Sequence, residues 1–303
     1  MGPATAAEAA SDNVVLLGNG ENSMGDDMGD GRGGERDGYV LSRTRREHQR
    51  LNVQAQVWED ATRRALSRLG LPNGAHALDA GCGPGDAMRL IADQVGTRGT
   101  VTGLDIDPHL DETPLARLCA DNPSRYRFIA GDVTQLQTVA GAPFDLVFAR
   151  LLLFHIAKPE EVLRRLWSWT RPGGVLLIMD YDTTTTRTMP QHPTLEWVLR
   201  LINDAFRRAG RDIETGLRMP ELFCKAGIPE PDQCEIGSVI LRAQDSAPML
   251  QSLLKSLRPI ILKTRLAEES ELVRLDGELE ANAFENTFAR WPDLVTTWKR
   301  KPT

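Results

Sequence analysis

From residue 73 onward the chain alternates short apolar runs with stretches of helical periodicity. HALDAG (76–81) reads as a strand followed by a helix through Ala87 to Val95, and TVTGLD (100–105) as a second strand. RYRFIAGD (125–132), FDLVFAR (144–150) and GVLLIMDYD (174–182) follow as the third, fourth and fifth. Strands joined through helices predict a parallel sheet covered on both faces, the doubly wound α/β architecture. Upstream, Leu51, Ala55, Trp58, Ala61, Ala65 and Leu69 recur at three- and four-residue steps. That spacing predicts one helix over 42–70, with capping-box spacing at Thr44 and Glu47, Trp58 as a core anchor, and Gly70 and Pro72 as the stop.

The last third is less regular. Residues 195–209, 247–266 and 271–289 read as amphipathic helices, 236–242 alternates like a strand, and 294–298 reads as another. The last two strands are expected to close the sheet as an antiparallel pair. Residues 1–37 show neither period and are rich in Gly, Asp, Asn, Ser and Ala; such a segment buries too little surface to offset its ordering entropy and is expected to be a disordered tail. The expected organisation is this tail, a helical segment over 38–72, a core over 73–183, and helices with closing strands over 184–303.

Composition narrows the function classes. With 41% hydrophobic and 26% charged residues the chain resembles an ordinary soluble protein, and its net charge of −6 lacks the basic excess that a nucleic-acid backbone demands. No window reaches the roughly 18 uninterrupted apolar residues of a membrane span, and the stretch 14–17 is too short for a signal-peptide core. Cys82, Cys119, Cys224 and Cys234 are too dispersed for a metal-ligand pair. A cytoplasmic protein acting on a small molecule, with no metal site, no nucleic-acid partner and no membrane, is expected; monomer and homodimer stay open.

The chemistry gathers at the strand ends. In Ala77-Leu-Asp-Ala-Gly-Cys-Gly-Pro-Gly85 a strand runs into a glycine-rich turn and then a helix, and Gly81 and Gly83 allow a ligand to approach the main chain. Asp79 is placed to accept from a cationic ammonium or to hold the turn through backbone amides. Asp105 ends the second strand at the spacing where an acid meets ribose hydroxyls, whereas alternation directs Asp107 to the other side. Asp132, after the third strand, suits an exocyclic adenine amine. A dinucleotide diphosphate favours a helix N-terminus free of negative charge, but GCGPGD puts Asp86 there, which suits a sulfonium ligand better.

With LDAGCGPG, GLDIDP, AGDV, FDLVFAR and RPGGVLLIMD in this order, the chain resembles the class I S-adenosyl-L-methionine (SAM)-dependent methyltransferases, in particular the small-molecule group of quinone-biosynthesis and secondary-metabolite enzymes. The resemblance is strong over residues 39–183. It implies a Rossmann-like, mostly parallel seven-stranded sheet whose last strand is antiparallel, with a lid helix over 47–58. It also implies that Asp79, Gly81 and Gly83 line the methionine and sulfonium of SAM, Asp105 with Ile106 the ribose, and Asp132 with Val133 the adenine. Arg150 would face the cofactor or the acceptor cleft. The chain departs from the family after Pro108, where Pro114 delays the expected helix.

Methyl transfer from a sulfonium needs alignment and a dry site more than it needs a base. Where the acceptor is a hydroxyl or an amine that must lose a proton, His155, near the cleft end of the fourth strand, is the candidate general base; unperturbed, it would titrate near 6.5. A core histidine is the competing role. Asp180, Tyr181 and Asp182 at the end of the fifth strand are alternative acceptor contacts. A catalytically silent SAM-binding subunit and a Rossmann dehydrogenase are the rival functions.

Overall fold

The computed structural model of the protein describes residues 45–303 apart from Thr113 and Asn282. The expected tail, residues 38–44 and the Thr44 cap lie outside them. Two helices, α1 (Arg45–Val57) and α2 (Glu59–Arg68), replace the single expected one. The break is at Trp58, whose φ of −101° and ψ of 6° leave the helical basin. Its indole is 1% exposed, as a core anchor should be, and donates to the Tyr181 hydroxyl at 2.6 Å.

Five strands follow, separated by helices except between β3 and β4: β1 (His76–Ala80), α3 (Asp86–Val95), β2 (Thr100–Asp105), α4 (Pro114–Asp121), β3 (Tyr126–Ala130), β4 (Phe144–Arg150), α5 (Pro159–Trp169) and β5 (Thr170–Asp182). A 3₁₀ turn over Pro108–Glu112 precedes α4, which starts at Pro114 because proline is tolerated in a first turn, where its missing N–H has no helical partner. The remainder comprises β6 (Arg187–Met189), α6 (Pro193–Arg208), α7 (Met219–Lys225), β7 (Gln233–Gly237), β8 (Ile240–Arg242), α8 (Ala243–Lys263), α9 (Glu269–Ala281), β9 (Phe288–Arg290) and β10 (Asp293–Arg300).

Seven strands form one sheet in the order β3-β2-β1-β4-β5-β10-β7. The pairs β3/β2, β2/β1, β1/β4 and β4/β5 are parallel, while β10 runs antiparallel to both β5 and β7, the expected closing pair. Chain order reverses between β1 and β4, so the connections leave in opposite directions and open a crevice beyond their carboxyl ends. Both faces of the central strands are buried: Leu78, Leu146, Val147, Leu176, Leu177 and Ile178 have no exposed surface. One face packs on Leu66, Met88 and Ile91 of α2 and α3; the other packs on Leu163, Leu166 and Phe223 of α5 and α7. Each such side chain contributes about 1.5–3 kcal/mol relative to exposure.

A third core, with Leu201, Phe206, Leu254, Leu257 and Leu275, holds α6, α8 and α9 together as a helical cap, and α1 packs against α8. The segment 236–242 was expected as one strand and is two. Ile236 pairs in the large sheet through β7, whereas β8 joins a small antiparallel sheet, β6-β9-β8. The expected helix over 271–289 ends at Ala281, and Phe288–Arg290 is recruited as the middle strand of that small sheet. Among the described residues no helix is long and apolar enough to cross a membrane.

Candidate active site

At the end of β1 the backbone turns sharply into α3. Gly81 has φ +72° and its amide, like that of Cys82, donates to the Leu104 carbonyl, at 2.7 and 3.1 Å. A Cβ on Gly81 would sit 3.0 Å from Leu152 Cδ1. Gly83, at φ +50°, has nothing within 4 Å of where a Cβ would be, so main chain is presented directly to the cleft. That cleft brings together every residue singled out from the sequence for cofactor or catalysis: Asp79, Gly81, Gly83, Asp105, Ile106, Asp132, Val133, Arg150 and His155.

The acids of this half are held largely by backbone amides. Asp105 accepts from Gly83 N–H at 2.9 Å through Oδ2 and from Asp107 N–H at 3.0 Å through Oδ1. Asp132 Oδ1 accepts from the Thr134 amide and hydroxyl, both at 2.7 Å. Asp107 also lines the cleft, contrary to the expected alternation. The strand ends at Asp105, so a period of two no longer governs residue 107, and its Oδ1 instead accepts from His109 N–H at 3.0 Å. Asp86 opens α3 and pairs with Arg89 at 2.9 Å.

Asp79 differs from these. It is 1% exposed and its Oδ2 has no hydrogen-bond partner. Burial raises its pKa to about 7; the Arg150 guanidinium opposes the rise, and Asp105 and Asp86 add to it. Arg150, half-buried and lowered in pKa mainly by desolvation, donates from Nη1 to Thr62 Oγ1 at 2.9 Å and so ties the end of β4 to α2. An orphaned carboxylate oxygen beside a glycine turn fits a ligand that brings a cationic donor.

Beyond Arg150 the chain passes through Leu151 at φ +57°, a strained value for a leucine, into the 3₁₀ turn Leu153–His155. Asp180 holds this turn: fully buried, it accepts from Phe154 N–H at 3.1 Å and from Tyr181 N–H at 2.9 Å. Its pKa is nevertheless raised to about 7 by desolvation. Asp182 bonds the amide and hydroxyl of Thr184 at 2.9 and 2.6 Å. Neither acid lines the cleft, so of the three alternative acceptor contacts only Tyr181 faces it.

His155 lines the cleft with its ring edge-to-face on Phe154, centroids 5.3 Å apart. Burial, reinforced by Arg50 and Arg211, pushes its pKa down to about 3 rather than leaving it near 6.5. The imidazole is therefore neutral across the physiological range and a weak base.

The sequence reading missed the polar network on α1. Arg50 Nη1 donates to Gln54 Oε1 at 3.3 Å, and Gln54 Nε2 donates to the Tyr181 hydroxyl at 2.9 Å. Their spacing of four along α1 puts both on one helix face, a signal that was present but overshadowed by the apolar stripe beside it. The apolar wall of this half comes from α6 and α8, with Ile202, Phe206, Met249 and Leu253 among its members.

Residues 71–222 match the family model of a methyltransferase domain. The chain is 31% identical over 255 residues to the trans-aconitate 2-methyltransferase of Delftia acidovorans, covering 78% of this chain and 91% of that protein. It is 30% identical over 158 residues to the 2-phytyl-1,4-naphtoquinone methyltransferase of Thermosynechococcus vestitus, covering 50% of this chain and 67% of that one. The solved structure of a Bacillus halodurans protein described as a methyltransferase superposes with a TM-score of 0.54 at 14% identity, covering 80% of this chain and 100% of that one, a likeness of fold. The methyl donor of these enzymes is SAM. The chain belongs to the class I SAM-dependent methyltransferases.

Proposed function

We propose that the protein binds SAM across the ends of β1, β2 and β3 and transfers its methyl group to a small-molecule acceptor lodged between α1, α6, α8 and the His155 turn. The observation that carries the cofactor half is the buried Asp79 oxygen without a partner at the Gly81–Gly83 turn. Asp79 takes the ammonium of the methionine portion, and the exposed main chain at Gly81 and Gly83 lets that portion lie against the strand end. Asp105, oriented by two backbone amides, addresses the ribose, with Ile106 beside it. Asp132 and Val133 receive the adenine. Arg150, at the seam between the two halves, compensates Asp79 once that acid is ionised.

Bound SAM supplies a methyl group already activated by a sulfonium, so the protein's own residues have to align, desolvate and orient. The apolar walls from α6 and α8 exclude water from the transfer path. His155, kept neutral by its surroundings, offers the acceptor a hydrogen-bonding edge rather than a strong base. The relatives' names span chemically different acceptors, so the acceptor cannot be taken over from them.

Thermal unfolding with added ligand tests the cofactor reading. S-adenosylhomocysteine should raise the midpoint in proportion to the logarithm of its concentration, as mass action requires, and NADH should not. Stabilisation by NADH alone would overturn it.

A further inference from the structure

We infer that the methyl acceptor is a carboxylate-bearing small molecule with an apolar body, and that the Tyr181 hydroxyl donates a hydrogen bond to its carboxylate. This rests on the cofactor reading above and concerns the other half of the same cleft. The first observation is a hydrogen-bond count. A phenol oxygen can accept two bonds and donate one. Tyr181 Oη already accepts from Trp58 Nε1 at 2.6 Å and from Gln54 Nε2 at 2.9 Å, and the indole can only donate. Its one remaining capacity is its own O–H. Among the described residues no acceptor takes that proton, and Tyr181 lines the cleft. A ligand that brings an acceptor atom therefore meets an available donor in Tyr181. Burial raises the phenol's pKa, which keeps the proton in place at neutral pH.

The second observation is a partition of charge. Among the described residues every carboxylate lining the cleft, Asp79, Asp86, Asp105, Asp107 and Asp132, belongs to the cofactor half. Among the described lining residues the acceptor half holds no acid, and Arg50, bonded to Gln54, lines the cleft as well. Desolvation, with Arg50 and Arg211, disfavours a proton on His155, so that lining side chain adds no cation-binding charge of its own. A cationic amine acceptor would find no acid among the described lining residues of this half and no free lone pair at Tyr181, whereas a carboxylate finds a donor there. Leu199, Ile202, Phe206, Leu250 and Leu253 supply an apolar surface for the rest of the molecule.

The chemistry balances without a base. A carboxylate oxygen forms the new bond to the methyl carbon with its own lone pair, the carbon–sulfur bond breaks with its electrons going to sulfur, and the products are a methyl ester and a neutral thioether. No proton moves, which agrees with a His155 too weakly basic to collect one.

Calorimetry on the full chain saturated with S-adenosylhomocysteine, titrated with octanoate and with octylamine at neutral pH, tests this. Octanoate should bind at least about tenfold more tightly than octylamine. Tyr181→Phe should lose about tenfold of the octanoate affinity while leaving octylamine and S-adenosylhomocysteine affinities within about twofold. Equal or tighter octylamine binding overturns the proposal, as does failure of octanoate to bind at millimolar concentration. So does a Tyr181→Phe loss that appears in S-adenosylhomocysteine affinity, since the phenol would then address the cofactor's carboxylate. The wild-type comparison stands even where the variant fails to fold. Failure of S-adenosylhomocysteine itself to bind would sink the cofactor reading instead.

Discussion

In the cofactor half of the cleft the acids are anchored mainly to main chain: Asp105 to the Gly83 and Asp107 amides, Asp107 to the His109 amide, Asp132 to that of Thr134. In the acceptor half the polar contacts run from side chain to side chain, Arg50 to Gln54, Gln54 and Trp58 to Tyr181. The first arrangement is set by strand ends and turns and changes only if the sheet changes. The second is set by which faces of α1, α6 and α8 meet, and can be rebuilt by substitution without disturbing the sheet. On the proposed assignment one scaffold keeps its methyl donor while the acceptor varies, because backbone amides fix the acids that would face the donor.

The largest effect should come from breaking the backbone-anchored half. Asp105→Ala removes the proposed ribose contacts together with the restraint on Gly83, and charge-assisted hydrogen bonds are worth about 1.5–3 kcal/mol each. The expected outcome is a loss of about 10²-fold in S-adenosylhomocysteine affinity by calorimetry, with native circular dichroism. Unchanged affinity in a folded variant would show that Asp105 serves the turn alone.

A graded effect, about tenfold per pH unit, concerns Asp79, the acid of that half with an unpartnered oxygen. Its pKa of about 7 in the ligand-free protein lies above the ordinary value of 3.8. Its protonated form is favoured by folding, so this group's contribution to stability is present below 3.8 and is lost as pH rises through about 7. Cofactor binding needs the ionised form and draws on the opposite limb. Affinity for S-adenosylhomocysteine should rise by up to about tenfold per pH unit below 7 and level off above it. Asp79→Asn should flatten the profile, and a wild-type affinity independent of pH from 5 to 8, on the scale of about a hundredfold expected change, would remove Asp79 from the ammonium site.

The smallest effect is expected in the acceptor half. A general base would cost about 10² to 10⁴-fold in turnover when deleted, but with its pKa near 3, His155 should cost less than about tenfold as His155→Asn, and the wild-type rate should show no limb near 6.5. Its depressed pKa also has a sign for stability. The contribution is present above 6.5 and lost as pH falls from 6.5 toward 3, where the unfolded chain takes up a proton that the folded one resists. His155→Leu should therefore flatten the dependence of the urea midpoint on pH in that window. A limb near 6.5 that the variant lacks would restore the histidine as a base.

Much of the proposed cofactor half was legible in the sequence because it is written locally. A strand, a glycine turn and an acid at a strand end each depend on a few contiguous residues, and the parallel sheet converts their order into a common edge, so Asp79, Asp105 and Asp132 converge without further instruction. The resemblance to the methyltransferases rested on the same short segments. Where local pattern ran out, the expectations failed in kind: alternation was extended past the end of β2 to Asp107, and the apolar period of 42–70 concealed the break at Trp58.

The sequence by itself determined the apolar strands, their helical crossovers, the glycine turn and the acids that follow it, since these are consequences of period and backbone preference acting over a few residues. Only the tertiary structure decided that Arg50 and Gln54 of α1 stand over Tyr181 of β5, that Asp180 turns inward to hold the His155 turn, and that desolvation moves His155 and Asp79 away from their ordinary pKa values. Those outcomes depend on contacts between residues far apart in the chain, 26 positions between Phe154 and Asp180 and 127 between Gln54 and Tyr181, and on burial, which is a property of packed neighbours that no local stretch of chain contains.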